Sequence, residues 1–256
     1  MKHDLILAGV GGQGILSIAY VIDNAALSAG LTFKQAEVHG MAQRGGAVQS
    51  HLRYSDQTIH SDLIPHGQAD MVLSVEPLEV MRYWHHLRPE GWVVTSVTPY
   101  VNIPDYPDEA TLLDQLAGFP NIVMVDSGQL AKAAGSQRAQ NMVALGAAAP
   151  LLELSERYLL AHIRSLFAAK GERMVEVNTR AFAFGQAAGR FFRGLVDAGM
   201  HAVSALRLCQ KMAPDTIDPA HAAEWAAALT QDRARLDVVL AAEAPLACGE
   251  VPTFAR

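Results

Sequence analysis

Leu5-Ile6-Leu7-Ala8-Gly9-Val10-Gly11-Gly12-Gln13-Gly14-Ile15 is the stretch that decides the fold of this chain. Its continuous apolar start fits a parallel strand buried on both faces. The glycines then make a tight turn, and from Ile15 the spacing becomes helical. Ile15, Ile18, Ala19, Ile22, Ala25 and Ala26 share one stripe, and Gly30 is a natural stop. Residues 32–38 read as a second strand. Strand, helix and strand within about 35 residues are the signature of a βαβ unit, whose crossover is right-handed.

Working outward, residues 39–46 form a polar loop rich in glycine. The alternation in 47–54 predicts a strand with one wet face, paired in a hairpin with residues near Ile59. Residues 71–75, 91–96 and 122–126 read as further buried strands, and a helix begins at Pro77 and runs to Leu87. Pro99, Pro104 and Pro107 mark a loop between the last two strands. Helical spacing follows at 127–134, 141–153, 155–169 and 178–197. These elements predict an α/β chain with a Rossmann-like, doubly wound, mostly parallel sheet over residues 1–195. Residues 196–256 differ in texture and read as a helical extension. Two helices are expected there, 200–212 and 219–243, the second with Asp218 as its cap and Pro219 at its first position. Their apolar stripes need a covering surface, and the body of the same subunit is the expected one.

Of the 256 residues, 50% are hydrophobic and 18% charged, enough apolar material for a sizeable core. A net charge of -6 argues against a nucleic-acid partner and against an anionic membrane surface. No run approaches the roughly 18 apolar residues of a spanning helix. Met1-Lys2-His3-Asp4 leads directly into the first strand, so no leader is expected and a cytoplasmic location is. The two cysteines, Cys209 and Cys248, lie far apart and predict no disulfide framework. An iron–sulfur cluster of four irons wants about four thiolates, so this chain cannot hold one alone.

Gly9, Gly11, Gly12, Gln13 and Gly14 form a candidate anion-binding turn, in which backbone N–H groups at a helix start face a diphosphate. Glu37, at the end of the second strand, has acceptable spacing for a ribose contact. The loop after it, His39-Gly40-Met41-Ala42-Gln43-Arg44-Gly45-Gly46, differs from that of an ordinary NAD enzyme. Its glycines permit close approach to a ligand or a partner backbone while Arg44 is offered to an anion. Glu76 and Glu79 flank a helix start and favour its dipole. His85 and His86 are adjacent on a helix and so do not share a face; no metal ligand set is expected there, and His39 and His51 read as structural. No catalytic residue is evident.

The two glycine loops together carry a resemblance. Gly9 to Ser17, followed by Glu37 to Gly46 and by Gln49-Ser50-His51, resembles the γ-type domain of 2-oxoacid:ferredoxin oxidoreductases. The run from Met41 to Gly46 is nearest to the β-subunit type of the indolepyruvate branch. Further matches are Ile64-Pro65 before Ala69-Asp70, Glu76-Pro77-Leu78-Glu79, Asn141-Met142 with Leu145-Gly146, and Asn178 with Ala181-Phe182 and Gly185. The resemblance implies a small subunit without its own redox cofactor. Thiamine diphosphate and iron–sulfur clusters would sit on a large catalytic subunit, which passes electrons to ferredoxin or another acceptor. Coenzyme A would be the co-substrate, and the loops at 9–14 and 39–46 would face its channel. The rival readings are a stand-alone dehydrogenase using NAD or FAD, and a non-catalytic nucleotide-binding assembly module.

Overall fold

The central strand β1 (Lys2–Val10) is buried from Asp4 onward, as its apolar run requires. The computed structural model describes residues 1–37, 45–230 and 232–254. On one side of β1, β4 (Ala69–Ser74), β5 (Leu87–Ser96) and β6 (Ile122–Val125) follow in turn, all parallel. On the other side β3 (Ala47–Ser55) pairs antiparallel with β1, and β2 (Thr32–Glu37) pairs antiparallel with β3. The six-stranded order is β2-β3-β1-β4-β5-β6. The sheet is thus mostly parallel, as the sequence predicts.

The predicted βαβ unit is present but split. Helix α1 (Ile15–Ser28) leads from β1 to β2, and β3 lies between those two strands. The hairpin predicted near Ile59 does not form, because both edges of β3 are taken and Ile59 belongs to no strand. Nor is the polar side of β3 wet. Arg53 grips the buried Asp4 through Nε–Oδ1 at 2.8 Å and Nη2–Oδ2 at 2.9 Å. Its Nη1 donates to the carbonyls of Ser61 at 2.9 Å and Leu63 at 3.0 Å, so the 56–68 segment closes over the strand. A buried charge is tolerated when it is paired and fully hydrogen-bonded.

Helix α2 (Pro77–Tyr83) starts at the predicted proline, with the Glu76 carboxylate accepting from Glu79 N at 3.0 Å. It ends earlier than predicted, in a tighter turn at Trp84–His86, and β5 begins at Leu87 rather than at Gly91. The sequence reading leaves 109–117 unassigned, and the structure has α3 (Glu109–Ala117) there, capped by Asp108 on Thr111 N. Helices α4 (Ser127–Ala134), α5 (Gln140–Ala148), α6 (Glu156–Ala168) and α7 (Glu172–Asp197) follow. Helix α7 starts six residues before its predicted position at 178, because Gly171 stops one helix and opens the next. Helices α1, α5 and α7 share the main core with Leu5, Leu7, Leu52 and Leu73. Ile6, Ile64, Ala69 and Val72 form a smaller core on the other face, where Tyr83 of α2 packs. The chain crosses from β1 to β2 and from β4 to β5 in opposite directions, and right-handed crossovers then place α1 and α2 on opposite faces.

Helix α5 is buried from Asn141 through Ala148 and crosses α7 at backbone contact. A Cβ at Gly146 would lie 2.0 Å from the Phe182 carbonyl oxygen, and one at Gly185 would lie 2.0 Å from that of Val143. Beyond α7, α8 (Ala202–Lys211), α9 (Ala222–Leu229) and α10 (Arg233–Leu240) make the C-terminal extension. The single helix predicted for 219–243 is two, separated where its apolar stripe breaks and Asp232 caps α10. The extension packs on its own chain. Trp225 is fully buried and donates Nε1–H to the Cys248 carbonyl at 2.7 Å, and Ala222 sits against Gly194 of α7.

Gly185→Ala is expected to cost roughly 3 kcal/mol or more, since the added methyl meets backbone and not a movable side chain. For a domain of this size that lowers the thermal midpoint by at least about 5 °C. Differential scanning calorimetry reads the shift; an unchanged midpoint would mean the two helices can separate freely.

Candidate functional site

The chain leaves β1 toward β2 and leaves β4 toward β5, in opposite directions across the sheet. The carboxyl ends of β1 and β4 therefore form the switch point at which open α/β sheets bind ligands. Three loops meet there. The 9–14 turn is held by Gln13, whose Oε1 accepts from Val10 N at 2.7 Å while its own N–H reaches Val10 O at 3.0 Å. Gly11 N donates to Gly46 O at 2.8 Å and Gly45 N to Gly11 O at 3.3 Å, which joins the turn to the second loop. From the proline loop, Asn102 Nδ2 donates to Gly45 O at 2.7 Å.

Gly12 and Gly14 take φ of 101° and 80°, a region natural to glycine. Gly14 also lies so close to Asn141 of α5 that a Cβ would be 2.5 Å from Nδ2, which itself donates to Gly14 O at 3.2 Å. The proline loop is fixed from beneath by buried Glu76. Its Oε1 accepts from the Tyr106 hydroxyl and, at 3.4 Å, from Tyr100 N. Burial and the Glu76 hydrogen bond push the Tyr106 phenol up, so it stays a donor. Burial also pushes the Glu79 carboxyl up to about 7, opposed by Arg82 and helped by Glu76.

The structure thus brings Gly9, Gly11, Gly12, Gln13, Gly14, Gly45 and Gly46 together. His39, Gly40, Met41, Gln43 and Arg44 lie outside the described residues. The N–H groups of Val10, Gly11 and Gln13 are bonded within the loops. One expectation needs correction. Glu37 lies opposite Ser50, and Ser50 opposite Leu7. That places Glu37 two strand spacings from β1, about 10 Å, and the ribose geometry of a dinucleotide enzyme is not formed. Sequence reasoning missed Asn102, Tyr106 and the role of Asn141 at the turn. The proline-rich segment signalled a loop, but its return to Gly45 is a non-local contact.

The histidines also depart from expectation. His85 and His86 lie on the tight turn after α2, with ring centroids 4.5 Å apart, and His66 approaches both. Burial, then His85, His51 and His66, lower the His86 pKa to about 4. Burial pushes the thiols of Cys209 and Cys248 up. No helix among the described residues is long and apolar enough to cross a membrane.

The model of the pyruvate ferredoxin/flavodoxin oxidoreductase family matches residues 4–188. This chain belongs to that family. Among curated relatives, indolepyruvate oxidoreductase subunit IorB of Methanothermobacter thermautotrophicus is 35% identical over 201 residues, covering 73% of this chain and 99% of that protein. The subunit of the same name from Thermococcus kodakarensis is 34% identical over 76% of this chain and 99% of its own length. Among solved structures, a 2-oxoglutarate:ferredoxin oxidoreductase from Magnetococcus marinus, with 2-oxoglutarate, coenzyme A and succinyl-CoA bound, aligns at a TM-score of 0.60 and 25% identity. That alignment covers 74% of this chain and 31% of the other, so this chain spans about a third of that protein. The γ subunit of a keto/oxoacid ferredoxin oxidoreductase from Geobacter sulfurreducens shares the fold over 73% of this chain and 98% of its own, at a TM-score of 0.55 and 23% identity. Helices α8 to α10 lie beyond the family match.

One electrostatic consequence at α1 is directly measurable. Burial, reinforced by the charge of Glu37, pushes the Asp23 carboxyl from 3.8 up to about 7. Its stabilising protonated form is fully present below about pH 3.8 and is lost as pH rises toward 7, because the unfolded chain gives up its proton first. Asp23→Asn should leave the thermal midpoint nearly unchanged at about pH 4 and raise it relative to the parent at about pH 8. A difference that does not vary with pH would show that Asp23 ionises normally.

Proposed function

We propose that this chain is the small, accessory subunit of an aryl 2-oxoacid oxidoreductase of the indolepyruvate type. The reaction converts a 2-oxoacid and coenzyme A to an acyl-CoA and carbon dioxide, and delivers two electrons to ferredoxin or a similar acceptor. Thiamine diphosphate and the iron–sulfur clusters would be held by a large catalytic subunit in the cytoplasm, and would supply the decarboxylation and the electron path. Residues 1–195 would be the part that docks there, with 196–256 as an added helical cover.

The observation that carries this reading is the joining of the loops at the switch point. The bonds of Gly11 with Gly45 and Gly46, and of Asn102 with Gly45, fix the far end of the segment that bears His39, Gly40, Met41, Gln43 and Arg44. Arg44 is suited to an anion of coenzyme A, because guanidinium pairs with phosphate through forked hydrogen bonds. The rigid 9–14 turn would act as the footing of that segment more than as a phosphate cradle in its own right. Exposed Leu16 and Tyr20 on the adjoining α1 give the same edge an apolar surface for the large subunit.

The test uses the complex co-expressed with its large subunit. Arg44→Ala should raise the KM for coenzyme A by about tenfold or more, the scale of one lost charge-assisted hydrogen bond. Asn102→Ala, which loosens the loop, should raise it less. The KM for the 2-oxoacid should hold within about twofold in both. Unchanged coenzyme A kinetics in both variants, with the complex intact, would leave these loops a packing role and sink the anion contact.

A further inference from the structure

On the edge of the sheet opposite the joined loops, four histidines gather around one cavity. His66 precedes β4 directly, and His85 and His86 precede β5, so these three stand at the amino ends of parallel strands. Ring centroids are 4.5 Å apart for His66 and His85, 4.7 Å for His66 and His86, and 4.5 Å for His85 and His86. The ligand nitrogens of this trio all lie within 4.8 Å of one another. His51 of β3 stands edge-on to His86, with centroids 5.1 Å apart.

We propose that His66, His85 and His86 form a binding site for a divalent transition-metal ion of the zinc class. Three imidazoles without thiolate or carboxylate are a donor set that suits zinc, copper, nickel or cobalt, and not magnesium or calcium. His86 is only 7% exposed, and its Nδ1 is buried without a hydrogen-bond partner among the described residues. A lone buried ring nitrogen is costly unless something occupies it. His66 and His85 are exposed, so their rings can turn inward to reach nitrogen spacings of roughly 3.4 Å around a tetrahedral ion with bonds near 2.1 Å.

The backbone beneath the trio is already fixed. Gly67 N donates to His85 O at 3.0 Å, which ties the loop bearing His66 to the turn bearing the other two. His51 Nδ1 accepts from Ile64 N at 3.0 Å, and Arg53 holds the carbonyls of Ser61 and Leu63. His51 is thus a positioning residue for the loop: with Nδ1 accepting, the neutral ring carries its proton on Nε2. The cavity of about 630 Å³ that these histidines line together with Gln49, Ser61 and Tyr83 leaves room for a water as a fourth ligand. Ion binding would clamp the 56–68 segment onto the thinly covered face of the sheet, where the core consists of Ile6, Ile64, Ala69 and Val72.

The experiment takes the full chain, free of affinity tag and stripped with a chelator, and titrates it calorimetrically with zinc sulfate alone. One equivalent should bind with a Kd in the micromolar range or tighter, and zinc should raise the thermal midpoint by mass action. His66→Ala and His85→Ala alter exposed side chains; each should weaken binding by about tenfold or more while the metal-free midpoint stays at the parent value. His221→Ala, at a surface histidine paired with Glu224, should bind as the parent does. Cobalt substitution should give the absorption bands of a tetrahedral nitrogen site in the parent and lose them in both ligand variants. Binding no tighter than millimolar, or affinity equal in parent, His66→Ala and His85→Ala, would overturn the proposal.

Discussion

Gly146 and Gly185 let α5 and α7 meet backbone against backbone, and the position of α5 that results is the constraint on which the switch point depends. With side chains at those positions the helices would stand apart, and α5 would withdraw from the sheet. Its first turn carries Asn141, which presses on Gly14 and bonds its carbonyl. Gly14 opens α1 and closes the turn that bonds Gly45 and Gly46, and Asn102 completes the set. Glycine at both ends of this relay keeps clear the space that a neighbour fills, and at Gly14 it also permits the φ of 80°. A pair of small residues in the helical layer thus sets loop geometry at the edge of the sheet.

The parts of this architecture that were legible in the sequence are those written in local patterns. The strand and stripe from Leu5 to Ala26, Pro77 as a helix start, and the helices at 127–134 and 155–169 follow from apolar spacing and capping residues alone. Where the reading failed, the deciding contact was distant. The alternation in 47–54 gives a strand but does not name its partners, which are Lys2–Val10 and Thr32–Glu37. The missed α3 had its signals, Asp108 as cap and Leu112, Leu113 and Leu116 on one face, but the prolines before it read as a longer loop. At the site, glycine spacing picked out the turn. The use of its N–H groups by Gln13 and Gly46 could not be read from spacing.

The insertion of β3 between β1 and β2 has consequences beyond strand order. It moves Glu37 out of reach of the glycine turn, which removes the ribose contact a dinucleotide enzyme relies on. It also places Arg53 and His51 on an internal strand, where polar side chains must find partners. Asp4 and the carbonyls of Ser61 and Leu63 satisfy Arg53, and Ile64 N satisfies one nitrogen of His51. One topological change therefore explains both the displacement of Glu37 from the glycine turn and the ordered loop that brings His66 to His85 and His86. Sequence spacing alone pointed away from that cluster, because adjacent helical residues diverge; the tight turn at Trp84–His86 is what lets them converge.

A subunit can shape the field around a reaction through its charges as well as its contacts. The chain carries a net charge of -6, which opposes an anionic co-substrate such as coenzyme A. Burial raises the Glu79 carboxyl at the start of α2 to about 7, and burial with Glu37 does the same for Asp23 within α1. Both shifts favour the neutral form of the carboxyl over the charged one. Packing therefore withdraws negative charge from these two helices without adding cations that would have to be desolvated in turn. The same burial that makes these carboxyls poor contributors to stability above neutral pH makes them less repulsive toward a phosphate below it. In the proposed complex, core packing and co-substrate attraction would thus be two results of the same buried acids.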